Sequence, residues 1–132
     1  MIGLETNLLV RLLVRDDPAQ TEKARHFIDT HCTPESPGYI NCIVLAELVW
    51  VLDSVYRFGR AEIAAAVESV LVGRDRVVEY RDEVQEALTA YKTSGIDFAD
   101  ILIGRVNLAR GCSATATFDR KAAKLEGFLR VS

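Results

Sequence analysis

Histidine is nearly absent from this chain: two occur in 132 residues, and the three cysteines form no CxxC pair. That scarcity argues against a zinc ribbon and against a disulfide framework. His26, His31 and Cys32 read as helix-end and surface groups with a reduced thiol, not as a metal site. Long apolar runs are also missing. The stretch LLVRLLVR is broken by Arg11 and Arg15, well short of the roughly 20 residues of a membrane span. No small-residue cleavage site of a signal peptide is seen, so the expectation is a cytoplasmic protein. Net positive charge is absent too: the formal balance is −3, which excludes nucleic-acid binding by bulk charge alone. The charge is uneven, however. Residues 62–100 hold nine acids and four bases, and residues 105–132 hold six bases and two acids. A basic segment beside an acidic one keeps nucleic acid open as a partner.

What is present is an ordinary globular composition, 49% apolar and 27% charged, in a length that suits one domain with one core. No repeat, low-complexity stretch or linker divides it. Short apolar segments alternate with helical ones. Met1–Leu4, Tyr39–Cys42, Arg76–Glu79, Ser113–Phe118 and Phe128–Val131 read as strands. Thr6 reads as the cap of a helix to about Val14, and Asp16-Asp17-Pro18 ends that helix and starts one running to about His31. Ile43–Tyr56, Ala61–Val72, Asp82–Thr93 and Phe98–Ala109 read as further helices, with Gly111 at a C-cap and Asp119 opening a last short helix, Arg120–Leu125. This alternation predicts an α/β domain on a parallel sheet, with its site at the carboxyl ends of the strands.

Four carboxylates stand in or against apolar runs: Glu5 in MIGLE, Glu47 in IVLAELVWVL, Asp100 in FADILIG and Asp119 in ATATFD. Read as buried, they need partners. Each has a structural alternative: Asp97 and Asp119 suit helix N-caps, Asp100 suits a first helical turn, and Glu5 can be a surface acid. Glu47 lacks one, since its i±3 and i±4 neighbours Ile43, Val44, Trp50 and Val51 offer no base. Carboxylates that converge repel each other, and a hard divalent cation relieves that repulsion.

At these residues the chain resembles the PIN domain, and within it the VapC-type toxins of bacterial toxin–antitoxin pairs. The matching segments are MIGLETNLLVRLL, the DDP turn, YINCIVLAELVWVL, GIDFADILIG and ATATFDRKAAKL. The resemblance implies a single three-layer α/β/α domain with a parallel, about five-stranded central sheet. It implies an endoribonuclease dependent on Mg²⁺ or Mn²⁺, held inactive by a cognate antitoxin and forming a homodimer. The family's acids fall on Glu5, Glu47, Asp100 and Asp119 as catalytic residues, with Glu5, Asp97, Asp100 and Asp119 on the metal and Thr6, Asn7 and Thr117 supporting. Glu5 departs from the usual Asp, keeping the charge and adding a methylene. Arg11, Arg15, Arg105, Arg120 and Lys121 are candidates to hold the RNA backbone. Trp50, Val51, Tyr56 and Phe58 form an apolar group that is read first as core and second as a partner surface. Two other readings stay open: a fold that binds antitoxin or RNA without turnover, and a receiver-like phosphoacceptor using Asp119, Thr117 and Lys121.

Overall fold

The computed structural model describes all 132 residues. They divide into two compact units, Met1–Arg81 and Asp82–Ser132.

The first unit runs β1 (Ile2–Gly3), α1 (Thr6–Val14), α2 (Pro18–His31), β2 (Gly38–Ile40), α3 (Cys42–Ser54), α4 (Arg60–Leu71) and β3 (Arg76–Val78). The strands pair in parallel in the order β1-β2-β3, with Ile2 opposite Gly38 and Tyr39 opposite Val77. All three carboxyl ends therefore lie along one edge, followed in sequence by Glu5, Asn41 and Glu79. Local chemistry sets the helix starts. Asp17 caps α2 by accepting the Gln20 N–H at 3.1 Å, with Pro18 as first helical residue. Asn41 caps α3 by accepting the Val44 N–H at 2.9 Å. The buried faces of α1, α3 and α4 carry Leu9, Leu45, Leu48, Leu52, Ile63 and Val67, all nearly sealed from water.

The second unit runs α5 (Arg81–Ser94, its first residue closing the first unit), α6 (Phe98–Ala109), β4 (Thr115–Thr117), a 3₁₀ turn (Ala122–Lys124) and β5 (Phe128–Arg130). Tyr91 of α5 meets Phe98 of α6 edge to face, centroids 5.9 Å apart. Helix α6 ends as Gly111 takes φ +98°, letting the N–H groups of Gly111 and Cys112 return to the carbonyls of Leu108 and Asn107. Asn107 Nδ2 then donates to Thr115 Oγ1 at 2.9 Å, fixing the start of β4 to the helix.

Five strands are present and every pairing is parallel, as the sequence predicts. The hydrogen-bonded ladders divide three and two, however, in place of one continuous five-stranded ladder. Thr6 is not the cap of α1. Glu5 holds that position, and Thr6 is the first helical residue, buried. Trp50 is not core: it is 64% exposed, while Val51, Tyr56 and Phe58 are half-buried. No helix is long and apolar enough to cross a membrane.

Candidate active site

The carboxylates are less buried than their apolar neighbours in sequence suggest. Glu5, Glu47, Asp97 and Asp119 are exposed, and Asp100 alone is half-buried. The electrostatic problem read from the sequence is thus confined to one acid. For Glu47 the reason lies in helix phase. Its i−4 and i+3 neighbours, Ile43 and Trp50, are themselves 67% and 64% exposed, so apolar flanks here mark a solvent-facing stripe.

In the first unit, the Thr6 hydroxyl donates to Glu47 Oε1 at 3.0 Å. No base accompanies Glu47, as its neighbours predict; a neutral hydroxyl orients it and leaves its charge available. Glu5 sits at the N-cap of α1 in extended conformation, yet its side chain makes no capping hydrogen bond. Its carboxylate stays free at the carboxyl edge of β1. Asn7 is exposed on the first turn of α1 and does not contact these acids by hydrogen bond.

In the second unit, Gly95, Ile96, Asp97, Asp100, Asp119 and Lys121 line a pocket of about 230 Å³. Burial first, then the charges of Asp97 and Asp119, push the Asp100 carboxyl above its usual range. Asp97 occupies the N-cap position of α6 without making a cap hydrogen bond, so the capping explanation for it fails. For Asp119 that explanation holds in part: its Oδ1 accepts the N–H groups of Lys121 at 2.8 Å and Ala122 at 3.2 Å. Thr117 Oγ1 in turn accepts the Asp119 N–H at 3.0 Å. Asp119 is thus a capping residue whose side chain also lines the acidic pocket.

Of the candidate RNA-holding cations, Lys121 lines this pocket and Arg120 is exposed. Arg11 is held by Asp16 at 2.8 Å, Arg105 by Glu86 at 3.7 Å, and Arg15 donates to the Leu12 carbonyl at 3.3 Å while adopting φ 58° at the end of α1.

One acid escaped the sequence reading. Glu79 follows β3 as Glu5 follows β1, and that strand-end position was the available signal. Its Oε1 accepts the Cys42 N–H at 3.0 Å, at the first residue of α3. The Cys42 backbone, then its thiol, hold Glu79 below the usual carboxylate range. Burial and the same carboxylate raise the Cys42 thiol and the Tyr39 phenol.

A divalent cation fits the donor chemistry of the second unit: hard carboxylate oxygens from Asp97, Asp100 and Asp119, one of them held against the repulsion of the other two. Within neither unit do three acidic or imidazole and thiol side chains draw close enough to enclose an ion as they stand. Binding an ion requires side-chain rotation, for which Asp97 is free.

Parallel strands alternating with helices, with acids at strand ends, define an α/β domain. The PIN domain family model matches residues 2–127, and the chain belongs to that family. PIN domains are generally nucleases and generally use divalent metal ions. No curated protein matches the chain.

Proposed function

We propose that this PIN domain is a Mg²⁺- or Mn²⁺-dependent endoribonuclease acting as the toxin of a type II toxin–antitoxin pair. The observation that carries the reading is Asp100, half-buried in a pocket it shares with Asp97 and Asp119, its carboxyl raised first by burial and then by those two charges. A structural acid gains nothing from such neighbours, whereas a cation ligand does.

Asp97, Asp100 and Asp119 of the second unit would hold the ion; Glu5, in the first unit, is an acid that the family's motif carries. When bound, the ion supplies Lewis acidity toward the phosphate and lowers the pKa of water. Glu47, oriented by Thr6, is a carboxylate of the kind that serves as a general base toward water. Lys121, in the acidic pocket, offsets charge on the phosphodiester. In-line attack would form the bond from the water oxygen to phosphorus and break that from phosphorus to the 3′ oxygen, which takes a proton from solvent, leaving a 5′-phosphate and a 3′-hydroxyl. Arg120 extends the cationic surface next to Asp119. An antitoxin, and a second copy of the chain, are the protein partners of this reading. The exposed Ile43 and Trp50 of α3 support a protein partner of some kind.

That no three acids enclose an ion as they stand favours one rival, a PIN domain that binds antitoxin or RNA without turnover. One assay separates the two. Purified protein is incubated with end-labelled RNA in Mn²⁺, beside its Glu5→Asp and Asp100→Asn forms. The expected result is cleavage by the wild type that EDTA stops, at least equal cleavage by Glu5→Asp, and none by Asp100→Asn. Cleavage by Glu5→Asp alone would identify the natural chain as the weakened form. Absence of cleavage by both would remove the nuclease. Expression in a bacterial host should arrest growth for the wild type and not for Asp100→Asn.

A further inference from the structure

A second cavity, of about 410 Å³, opens between α1 and α2 in the first unit. It is lined by Asn7, Leu8, Arg11, Gln20, Lys23 and Phe27, with Ala24 at its base, and no acid faces it. Its volume falls in the range of small-molecule sites. Leu8 and Phe27, both half-buried, make an apolar wall. Contact with the His31 ring, centroids 4.5 Å apart, pre-positions the Phe27 ring. Asn7 and Gln20 bring side-chain amides, each with both donor and acceptor atoms. The Arg11 guanidinium is tied to Asp16, whereas Lys23 has no ion-pair partner.

We propose that this pocket is a nucleotide subsite for single-stranded RNA. Phe27 and Leu8 take the base, Asn7 and Gln20 meet its edge, and Lys23 holds the adjoining phosphate. The combination of an aromatic ring, amides and a free cation is how unpaired bases are held. An acidic peptide would use the cation and the apolar wall, and it is the outcome against which the test below sets RNA. Reach also agrees. Asn7 lies two residues from Glu5, so their Cα atoms are at most about 7 Å apart. A nucleotide in the pocket is then close to one beside Glu5. The inference rests on the ribonuclease reading and assigns that enzyme its sequence preference.

The test uses the full chain in EDTA, so that binding is read without cleavage. Short homopolymeric RNA oligonucleotides of A, C and U are titrated, with affinity read by fluorescence anisotropy and contact by shifts of the Asn7 and Gln20 side-chain amides in ¹⁵N-edited NMR spectra. At least one homopolymer should shift both amides. Lys23→Ala and Phe27→Ala should each weaken its binding about fivefold or more, and Phe27→Trp should restore it. In Mn²⁺ the same variants should raise KM and leave kcat close to wild type. Lys23 is exposed, so its variant remains informative if Phe27→Ala misfolds. RNA that moves the amides but is never cut would keep the subsite and remove the nuclease. RNA that is cut with unchanged KM by Lys23→Ala and Gln20→Ala, or amides that move with an acidic peptide and not with RNA, would overturn the subsite and leave the nuclease.

Discussion

The hydroxyl of Thr6 and the carboxylate of Glu47 meet at 3.0 Å, joining the first turn of α1 to the middle of α3 across 41 residues of chain. Thr6 is 8% exposed, one of only two buried polar residues. Its position is therefore held by packing, and Glu47 borrows that order. The bond fixes an otherwise free glutamate on a solvent-facing stripe.

Thr6→Val keeps the shape and removes the donor. The acceptor is charged but exposed, so the bond is worth about 1 kcal/mol net, and melting should fall by roughly 3–5 °C. Thr6→Ser should recover the activity lost in Thr6→Val, because it restores the donor. Urea denaturation and the Mn²⁺ cleavage assay check the two halves separately. Equal activity in Thr6→Val and wild type would show that Glu47 needs no orientation.

Asp100 gives the opposite sign. Its folded-state pKa is raised by burial, Asp97 and Asp119, so the folded chain binds more protons than the unfolded chain between the two values. Stability then falls as pH rises through that window, and the cost persists at neutral pH. Without metal, Asp100→Asn should be neutral or stabilising by up to about 1 kcal/mol, with the advantage fading at acid pH. With Mn²⁺ at about 100 times its dissociation constant, the wild type should gain about 2.7 kcal/mol and the mutant less. Thermal melts at several pH values, with and without Mn²⁺, read both effects. A wild type indifferent to Mn²⁺ would remove the metal site.

The contrast between these acids shows what the sequence carries. Helix α6 is read from its apolar spacing and from Gly111, and its bounds agree with the structure, because those signals are local. The Asp17-Pro18 start of α2 is legible for the same reason. The exposure of Glu47 is not, since apolar neighbours at i−4 and i+3 give no sign of which way the stripe faces. That depends on how α3 lies against α1 and α4. The strand-end position of Glu79 is legible in the sequence, but its bond is not, because its partner Cys42 is 37 residues away.

Glu79 provides the pH dependence with the usual carboxylate sign. The Cys42 N–H, then the Cys42 thiol, hold its folded-state pKa below the unfolded value. The stability it contributes is fully present above the unfolded value, near 4.3, and is lost as pH falls through the folded one. Glu79→Gln should cost about 1 kcal/mol at neutral pH and flatten the acid limb of the stability profile. Denaturation midpoints across the acid range test this. Parallel acid limbs in mutant and wild type would assign acid sensitivity to other groups.

Helix α6 supports β5 through a glycine. Gly104 is buried in α6, and a methyl group at its Cα would run into the Phe128 ring. Gly104→Ala raises helix propensity by up to about 1 kcal/mol, but overpacking typically costs about 1–3 kcal/mol. The atoms met are the edge of the half-buried Phe128 ring, which gives way only by turning out of its place or by a shift of β5. The clash should therefore win, lowering stability by about 1–2 kcal/mol. Because β4 leads into Thr117 and Asp119, Mn²⁺-dependent cleavage should fall as well. Phe128→Leu in the same chain should recover part of both losses by vacating the space. A Gly104→Ala protein as stable as wild type would show that β5 shifts to accommodate the methyl group at little cost.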